Sequence, residues 1–226
     1  MQTEEPSSRT HFQIKKPTSS LGLQVHSKGV LASPNSRSSQ TSMEATGLII
    51  NGNLSYEQLY NSLDLDPPEI SFVVLCLAGL LNRMVKENQN KSPPKSIFHS
   101  KKIPGVSIEN YLERLAKYSK CSPETLFLAL IYLDRYFEKN TDQCLVALNV
   151  HKLFFISFVT AAKFNDDLKV SNQIFAKVGG IDKFTLCVLE MQFLRNICFH
   201  LNVSSIEYIS YVRSAIDFID KKTHFN

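Results

Sequence analysis

The chain has 226 residues, of which 43% are hydrophobic and 20% charged, and its formal net charge is +4. This length and apolar content suffice for one ordinary domain with a substantial core. The net charge is too small for the dense basic face of nucleic-acid-binding proteins, so direct binding to nucleic acid is not expected.

The N-terminal segment, residues 1–52, is dominated by Ser, Thr, Gln, Asn and Lys. Such a composition cannot bury enough apolar surface to offset the entropy of ordering, so it predicts a disordered tail. Ser33 in this segment, and Ser92 further along, each precede a proline and so form minimal sites for a proline-directed kinase. Ordinary loop chemistry is the simpler interpretation of either serine alone.

From Pro67 onward the apolar residues recur at helical spacing, and clusters of Gly, Pro and Asn separate the periodic segments. This pattern predicts an all-α fold that follows the tail at residues 1–52. Seven helices are expected near residues 68–87, 107–120, 124–137, 151–164, 171–178, 182–197 and 204–220. The expected end signals are Ser122, Asn149 and Asp182 as N-caps and the pair Gly179-Gly180 as a stop.

The third predicted helix, residues 124–137, is apolar on almost every side, which is typical of a central helix in a bundle. It ends in an adjacent acid-base pair, Asp134 and Arg135. Two further ionisable residues interrupt apolar segments, namely Lys163 and Glu190. Burying either charge alone would cost several kcal/mol, so each must reach water, pair within the chain, or meet a group on another protein.

The five cysteines lack the close spacing of zinc ligands, and each lies within or beside an apolar segment. We expect reduced core thiols at Cys76, Cys121, Cys144, Cys187 and Cys198. The longest apolar run, residues 70–81, is well short of the ~20 residues that cross a bilayer. The sequence predicts a protein of the nucleus or cytoplasm with no membrane association and no metal or other cofactor.

Three ordered motifs, at residues 124–136, 160–167 and 189–201, resemble a cyclin box. The resemblance covers about residues 68–203 and is closest to the yeast phosphate-pathway cyclins and the plant P- and U-type cyclins. The narrower match rests on the short segments 111–118, 148–153, 176–181 and 201–203.

This resemblance implies a single five-helix cyclin box with one flanking helix on each side. The box with its preceding helix is expected to span residues 53–203, and the C-terminal helix residues 204–226. It also implies a regulatory protein that forms a heterodimer with a cyclin-dependent Ser/Thr kinase and activates it, while supplying no catalytic group and binding no small-molecule substrate. In this family a lysine and a glutamate at the positions of Lys163 and Glu190 contact the kinase. The other residues expected at the same surface are Phe164, Asp166, Leu194 and Phe199. Asp134 and Arg135 match a family motif, and their expected role is to hold the helix end and the following loop.

The resemblance has limits that leave alternatives open. The chain has no Trp, and residues 107–111 replace the arginine-containing motif of animal mitotic cyclins, so their substrate-docking patch is not expected here. About 25 residues follow the box, which predicts a single-box cyclin.

Lys86-Glu87-Asn88 matches a degradation signal, although a polar helix end explains it more simply. A cyclin-fold adaptor in transcription is the alternative function, whereas an enzyme fits poorly because no nucleophile, metal set or phosphate-binding glycine loop is present. Phosphate signalling and cell-cycle control are equally compatible with the resemblance.

Overall fold

The structure is a computed structural model that describes residues 69–166 and 170–223, with side chains up to residue 215. Within these ranges the chain is all-α, as predicted, and it forms seven helices and no strand. They are α1 (Ile70–Glu87), α2 (Ile108–Ser119), α3 (Pro123–Lys139), α4 (Val150–Asn165), α5 (Asn172–Gly179), α6 (Lys183–Asn196) and α7 (Ser205–Thr223). The predicted tail, including Ser33, lies outside the described residues.

Helix α3 lies at the centre of the bundle, which confirms the prediction made from its apolar sides. Every residue from Thr125 to Leu133 is buried, and the helix packs against α1, α4, α6 and α7. Its largest interface is with α4, whose residues Leu153–Ala162 are also all buried. Burial of apolar area between these two helices, at roughly 25 cal/mol per Å², is the main stabilising contribution to the core.

The predicted N-cap at Asn149 is wrong in its detail. Asn149 lies in the helical region, and its side chain does not bond to the amides of α4. Its Oδ1 instead accepts from the Val146 amide at 2.8 Å, while its Nδ2 donates to the Cys144 carbonyl at 2.9 Å. The side chain therefore closes the preceding loop, whereas the predicted cap at Asp182 is confirmed by a 2.8 Å bond from the Thr185 amide.

The turn between α5 and α6 contains the predicted glycine stop. Gly180 has φ +72°, a left-handed conformation that glycine adopts without a steric penalty. Gly179 is required for a second reason, because a Cβ at this position would lie 2.2 Å from the Phe155 ring. The absence of a side chain at Gly179 leaves room for the Phe155 ring of α4 against the end of α5.

The expectation of five core thiols is only partly correct. Cys76 and Cys121 are buried and Cys144 is half-buried, but Cys187 and Cys198 are exposed. The last two lie on the outward side of α6 and just after it, in segments whose apolar residues are not all used in the core. Burial raises the pKa of the Cys121 thiol to about 12, so that group stays protonated at neutral pH. Among the described residues, no helix combines the length and apolarity that a membrane span requires.

Candidate functional site

Lys163 and Glu190 form an ion pair that joins α4 to α6. Lys163 lies in the last turn of α4, and its Nζ is 2.6 Å from Glu190 Oε1 and 2.7 Å from Oε2. The side chains are 29% and 17% exposed, respectively, so both reach the surface. An ammonium has three donors and a carboxylate about four acceptor sites, so each group retains capacity for a second molecule. The pair thus combines an intramolecular contact with an accessible surface position.

A row of exposed apolar side chains runs along α6, the helix that also carries Glu190. Phe184, Val188 and Met191 are 78%, 43% and 46% exposed, and their spacing of four and three residues places them on one side of the helix. The opposite side carries a second apolar row, Leu186, Leu189 and Phe193, which is buried in the core. In a helix with two apolar rows, only one of which is buried within the chain, the other row is a candidate binding surface.

The sequence-predicted site did not include Phe184, Val188 or Met191. The signal was present, because these residues repeat at i, i+4 and i+7 and are interleaved with the buried row. It was missed because both rows are apolar, and periodicity alone does not say which of them faces the core.

Phe164 and Phe199 add two exposed aromatic rings at the ends of α4 and α6. Phe164 follows Lys163 directly and is 54% exposed, while Phe199 lies just beyond α6 and is 58% exposed. Leu194, the third apolar residue predicted here, is half-buried. Cys198 and Phe199 both have positive φ values, 53° and 54°, which is uncommon for residues with side chains. The Phe199 amide donates to the Leu194 carbonyl at 2.9 Å, which holds this turn against the end of α6.

Asp166 ties the end of α4 to the beginning of α3. Its Oδ1 accepts from Ser122 Oγ and its Oδ2 from Thr125 Oγ1, both at 2.8 Å. Thr125 is fully buried, so its hydroxyl needs a partner inside the protein. Ser122 does precede α3 as predicted, but its hydroxyl bonds to Asp166 and Thr125 rather than to the helix amides. Asp166 therefore fixes the helix end that carries Lys163, and its place beside a kinase stays a prediction.

Arg135 connects α3 to the segment that follows α6. Its Nη1 donates to the His200 carbonyl at 2.7 Å and its Nη2 to the Asn202 carbonyl at 2.9 Å. Nη2 also lies 2.9 Å from Oε2 of Glu207 in α7. The planar guanidinium thus holds these three groups in a fixed arrangement. The first of them, the His200 carbonyl, belongs to the residue directly after Phe199.

Asp134 makes a parallel connection, since it accepts a short hydrogen bond from the Tyr211 hydroxyl in α7. Burial, assisted by the Asp134 charge, raises the pKa of Tyr211 and keeps its hydroxyl protonated as the donor. Asp134 and Arg135 bond to α7 and to the segment before it. Lys163 and Glu190 pair with each other and so connect α4 to α6. The residues predicted from sequence therefore fall into two separate groups.

The groups present at the candidate site indicate what it can bind. In residues 69–166 and 170–223, no three His, Cys, Asp or Glu side chains are grouped as a metal site requires. Its components are one accessible ion pair and exposed apolar side chains, which are the components of a protein-binding surface.

Comparison with known proteins identifies similar chains. The sequence matches the family model described as Cyclin over residues 33–201, a match that begins within the segment predicted as a tail. It is 36% identical over 152 residues to Cyclin-U4-1 of Arabidopsis thaliana, covering 65% of this chain and 75% of that protein. It is 39% identical over 169 residues to Cyclin-P3-1 of Oryza sativa subsp. japonica, covering 69% of this chain and 71% of that protein. Cyclin-P4-1 of the same plant is 36% identical over 148 residues, which cover 62% of this chain and 70% of that protein. The predicted similarity to plant P- and U-type cyclins is confirmed.

Proposed function

Because the chain belongs to the cyclin family, we propose that it is a regulatory subunit that binds and activates a cyclin-dependent Ser/Thr protein kinase. The observations that carry this proposal are the exposed apolar row of α6 and the accessible ion pair that Glu190 of the same helix forms with Lys163. The chain supplies no catalytic group in this scheme. Its place of action would be the nucleus or cytoplasm, and its signalling role would be of the nutrient, phosphate or cell-cycle type.

The apolar side chains would supply most of the binding energy. Phe184 is 78% exposed and Phe164 and Phe199 are each more than half exposed, so a partner helix that covers them removes substantial apolar area from water. Large aromatic anchors at the centre of an interface are the residues that usually dominate affinity. A kinase regulatory helix seated on this face would be pushed inward, so that the lysine and glutamate of the kinase pair over the phosphates of ATP.

The ion pair would supply orientation. In the dry centre of an interface, the Lys163 ammonium can donate to carbonyl oxygens of the partner and the Glu190 carboxylate can accept from its amides. Losing a charged group from such a contact typically costs about 2–5 kcal/mol of binding free energy, or roughly 30-fold or more in affinity. The competing explanation is that the pair only holds α4 against α6.

A charge swap separates these two explanations. The double variant Lys163→Glu, Glu190→Lys keeps an ion pair between α4 and α6 but presents the opposite charge to each partner group. If the pair serves only the fold, the swapped protein retains partner binding. If the two charges contact a kinase, the swapped protein stays folded and loses binding as fully as Lys163→Ala, Glu190→Ala.

The experiment is affinity capture from cell extract with the full chain, followed by mass spectrometry and a kinase assay. Wild type, the alanine pair and the charge swap are compared, together with Met191→Glu in the apolar row. Ile103→Glu is the matched control, because Ile103 is 65% exposed but lies in the loop before α2. We expect a cyclin-dependent kinase and its activity with wild type and Ile103→Glu only. Capture of no kinase by any of the proteins would contradict the proposal and favour the adaptor.

A further inference from the structure

The loop between α1 and α2 presents a serine in the sequence context of a kinase substrate. Residues 91–96 have no regular structure, and both Ser92 and Lys95 are exposed. The Ser92 hydroxyl makes no hydrogen bond within the described part of the chain. The local sequence is Ser92-Pro93-Pro94-Lys95, which combines the proline after the serine with a basic residue three positions on. We propose that Ser92 is a phosphorylation site for a proline-directed kinase that reads this lysine.

The chain contains two other Ser-Pro dipeptides, and they differ in the features that a kinase needs. Ser33 lies outside the described residues and has Ser36, not a basic residue, three positions later. Ser122 has Thr125 at the corresponding position, is half-buried, and precedes α3 directly. The Ser122 hydroxyl is also held by Asp166 at 2.8 Å. Ser92 therefore combines exposure, an irregular backbone and a lysine at the third position.

The backbone around Ser92 favours an extended conformation and is held in place on both sides. Pro93 disfavours the helical region for Ser92, and two successive prolines favour the extended conformation that a substrate segment adopts in a kinase cleft. The loop is also anchored on both sides. Gln143 Nε2 donates to the Pro94 carbonyl at 3.2 Å, and Asn88 Nδ2 donates to the Leu145 carbonyl at 3.1 Å. The serine between these two anchors is left accessible, so less entropy is lost when a kinase binds the loop.

There is room for the modified side chain. Ser92 lines an open groove of about 670 Å³ whose walls carry two lysines, Lys91 and Lys139, and four carboxylates, Glu87, Asp134, Glu138 and Asp142. In the transfer, Ser92 Oγ attacks the γ-phosphorus of ATP, the new O–P bond forms as the bond to ADP breaks, and the hydroxyl proton passes to the catalytic aspartate of the kinase. The phosphate adds about 1.5–2 negative charges to this groove. No buried group is displaced, so the fold is expected to tolerate the modification.

The test uses the full chain, purified cyclin-dependent kinase already bound to a different cyclin, and ATP. It does not rest on the proposed function, because the kinase brings its own activator. Every protein carries Ser33→Ala, and the rate of phosphate incorporation is compared for this background, Ser92→Ala, Lys95→Ala and Ser122→Ala. Peptide mapping by mass spectrometry identifies the modified serine, and a standard peptide substrate establishes that the kinase is active.

We expect phosphate at Ser92, its loss with Ser92→Ala, and no change with Ser122→Ala. Lys95→Ala should lower the rate by about tenfold, the effect of losing one charge-assisted contact. No phosphate at Ser92, an unchanged rate with Lys95→Ala, or phosphate at Ser122 at a comparable rate would each overturn the proposal.

Discussion

Replacing Arg135 with alanine should destabilise the fold more than replacing any exposed arginine. The Arg135 side chain is 7% exposed and donates to the carbonyls of His200 and Asn202 and to the Glu207 carboxylate. The alanine variant leaves two carbonyls without these donors and removes the cation that faces Glu207. The segment that connects α6 to α7 would then lose two hydrogen bonds to α3, while the bond from the Tyr132 hydroxyl to the Leu201 carbonyl at 2.7 Å remains.

The magnitude follows from burial. Removing one partner of a buried ion pair typically costs about 3–5 kcal/mol, because the remaining charge is left in a poorly solvated place. The Glu207 side chain is 32% exposed, so water compensates part of this loss and the lower end of the range applies. We therefore expect Arg135→Ala to lower the free energy of unfolding by about 3 kcal/mol, or the melting temperature by roughly 6–12 °C.

The assay is urea unfolding followed by circular dichroism, analysed with a common slope for all variants. Arg135→Lys should recover only part of the loss, because an ammonium cannot reproduce the planar fork of the guanidinium. Arg213→Ala is the matched control, since Arg213 is an exposed arginine on α7, and it should change stability by less than about 0.5 kcal/mol. A loss below about 1 kcal/mol for Arg135→Ala would refute the reasoning from burial.

Two further predictions concern the core around α4. Gly179→Ala should cost about 1–3 kcal/mol in urea unfolding, because the new Cβ would meet the Phe155 ring at 2.2 Å. Gly105→Ala, where no atom lies within 4 Å of the added Cβ, should be nearly neutral, and equal losses would argue against the close packing. Burial lowers the pKa of His151, whose Nδ1 is buried and has no hydrogen-bond partner. Since the unfolded chain then binds the proton more tightly, stability should fall as the pH drops below about 6.5. His151→Gln should reduce this pH dependence but not abolish it, because burial also lowers the pKa of His99. An unchanged slope would show that His151 does not contribute.

Most of the fold could be predicted from sequence, because the apolar spacing and the helix-end residues that determine each helix lie within or next to that helix. Helix α3 follows from apolar residues on nearly every side, and the glycine stop after α5 follows from two adjacent residues. The cap at Asn149 was mispredicted because an asparagine can bond either to the amides ahead of it or to the loop behind it. Only the backbone conformation, φ −119° and ψ −16°, decides between these two possibilities.

The contacts of the site depend on long-range packing that no local pattern contains. The partners of Asp166, namely Ser122 and Thr125, precede it by 44 and 41 residues. The carbonyls that Arg135 bonds follow it by 65 and 67 residues. The helical spacing of the exposed row on α6 is visible in the sequence, but the exposure of these side chains depends on which side of the helix meets α4. Sequence thus predicted the residue types at the surface, while their partners required the folded chain.

The most direct test of the proposed function measures phosphoryl transfer by the captured kinase as a function of added chain. The kinase is purified without its own activator and mixed with wild type, with Ile103→Glu, or with the Lys163→Glu, Glu190→Lys charge swap, after unfolding experiments establish that all three are equally stable. We expect wild type and Ile103→Glu to raise the rate to the same plateau and the charge swap to leave it at the level of the kinase alone. Equal activation by the charge swap would contradict this expectation and would leave the ion pair as a purely intramolecular contact.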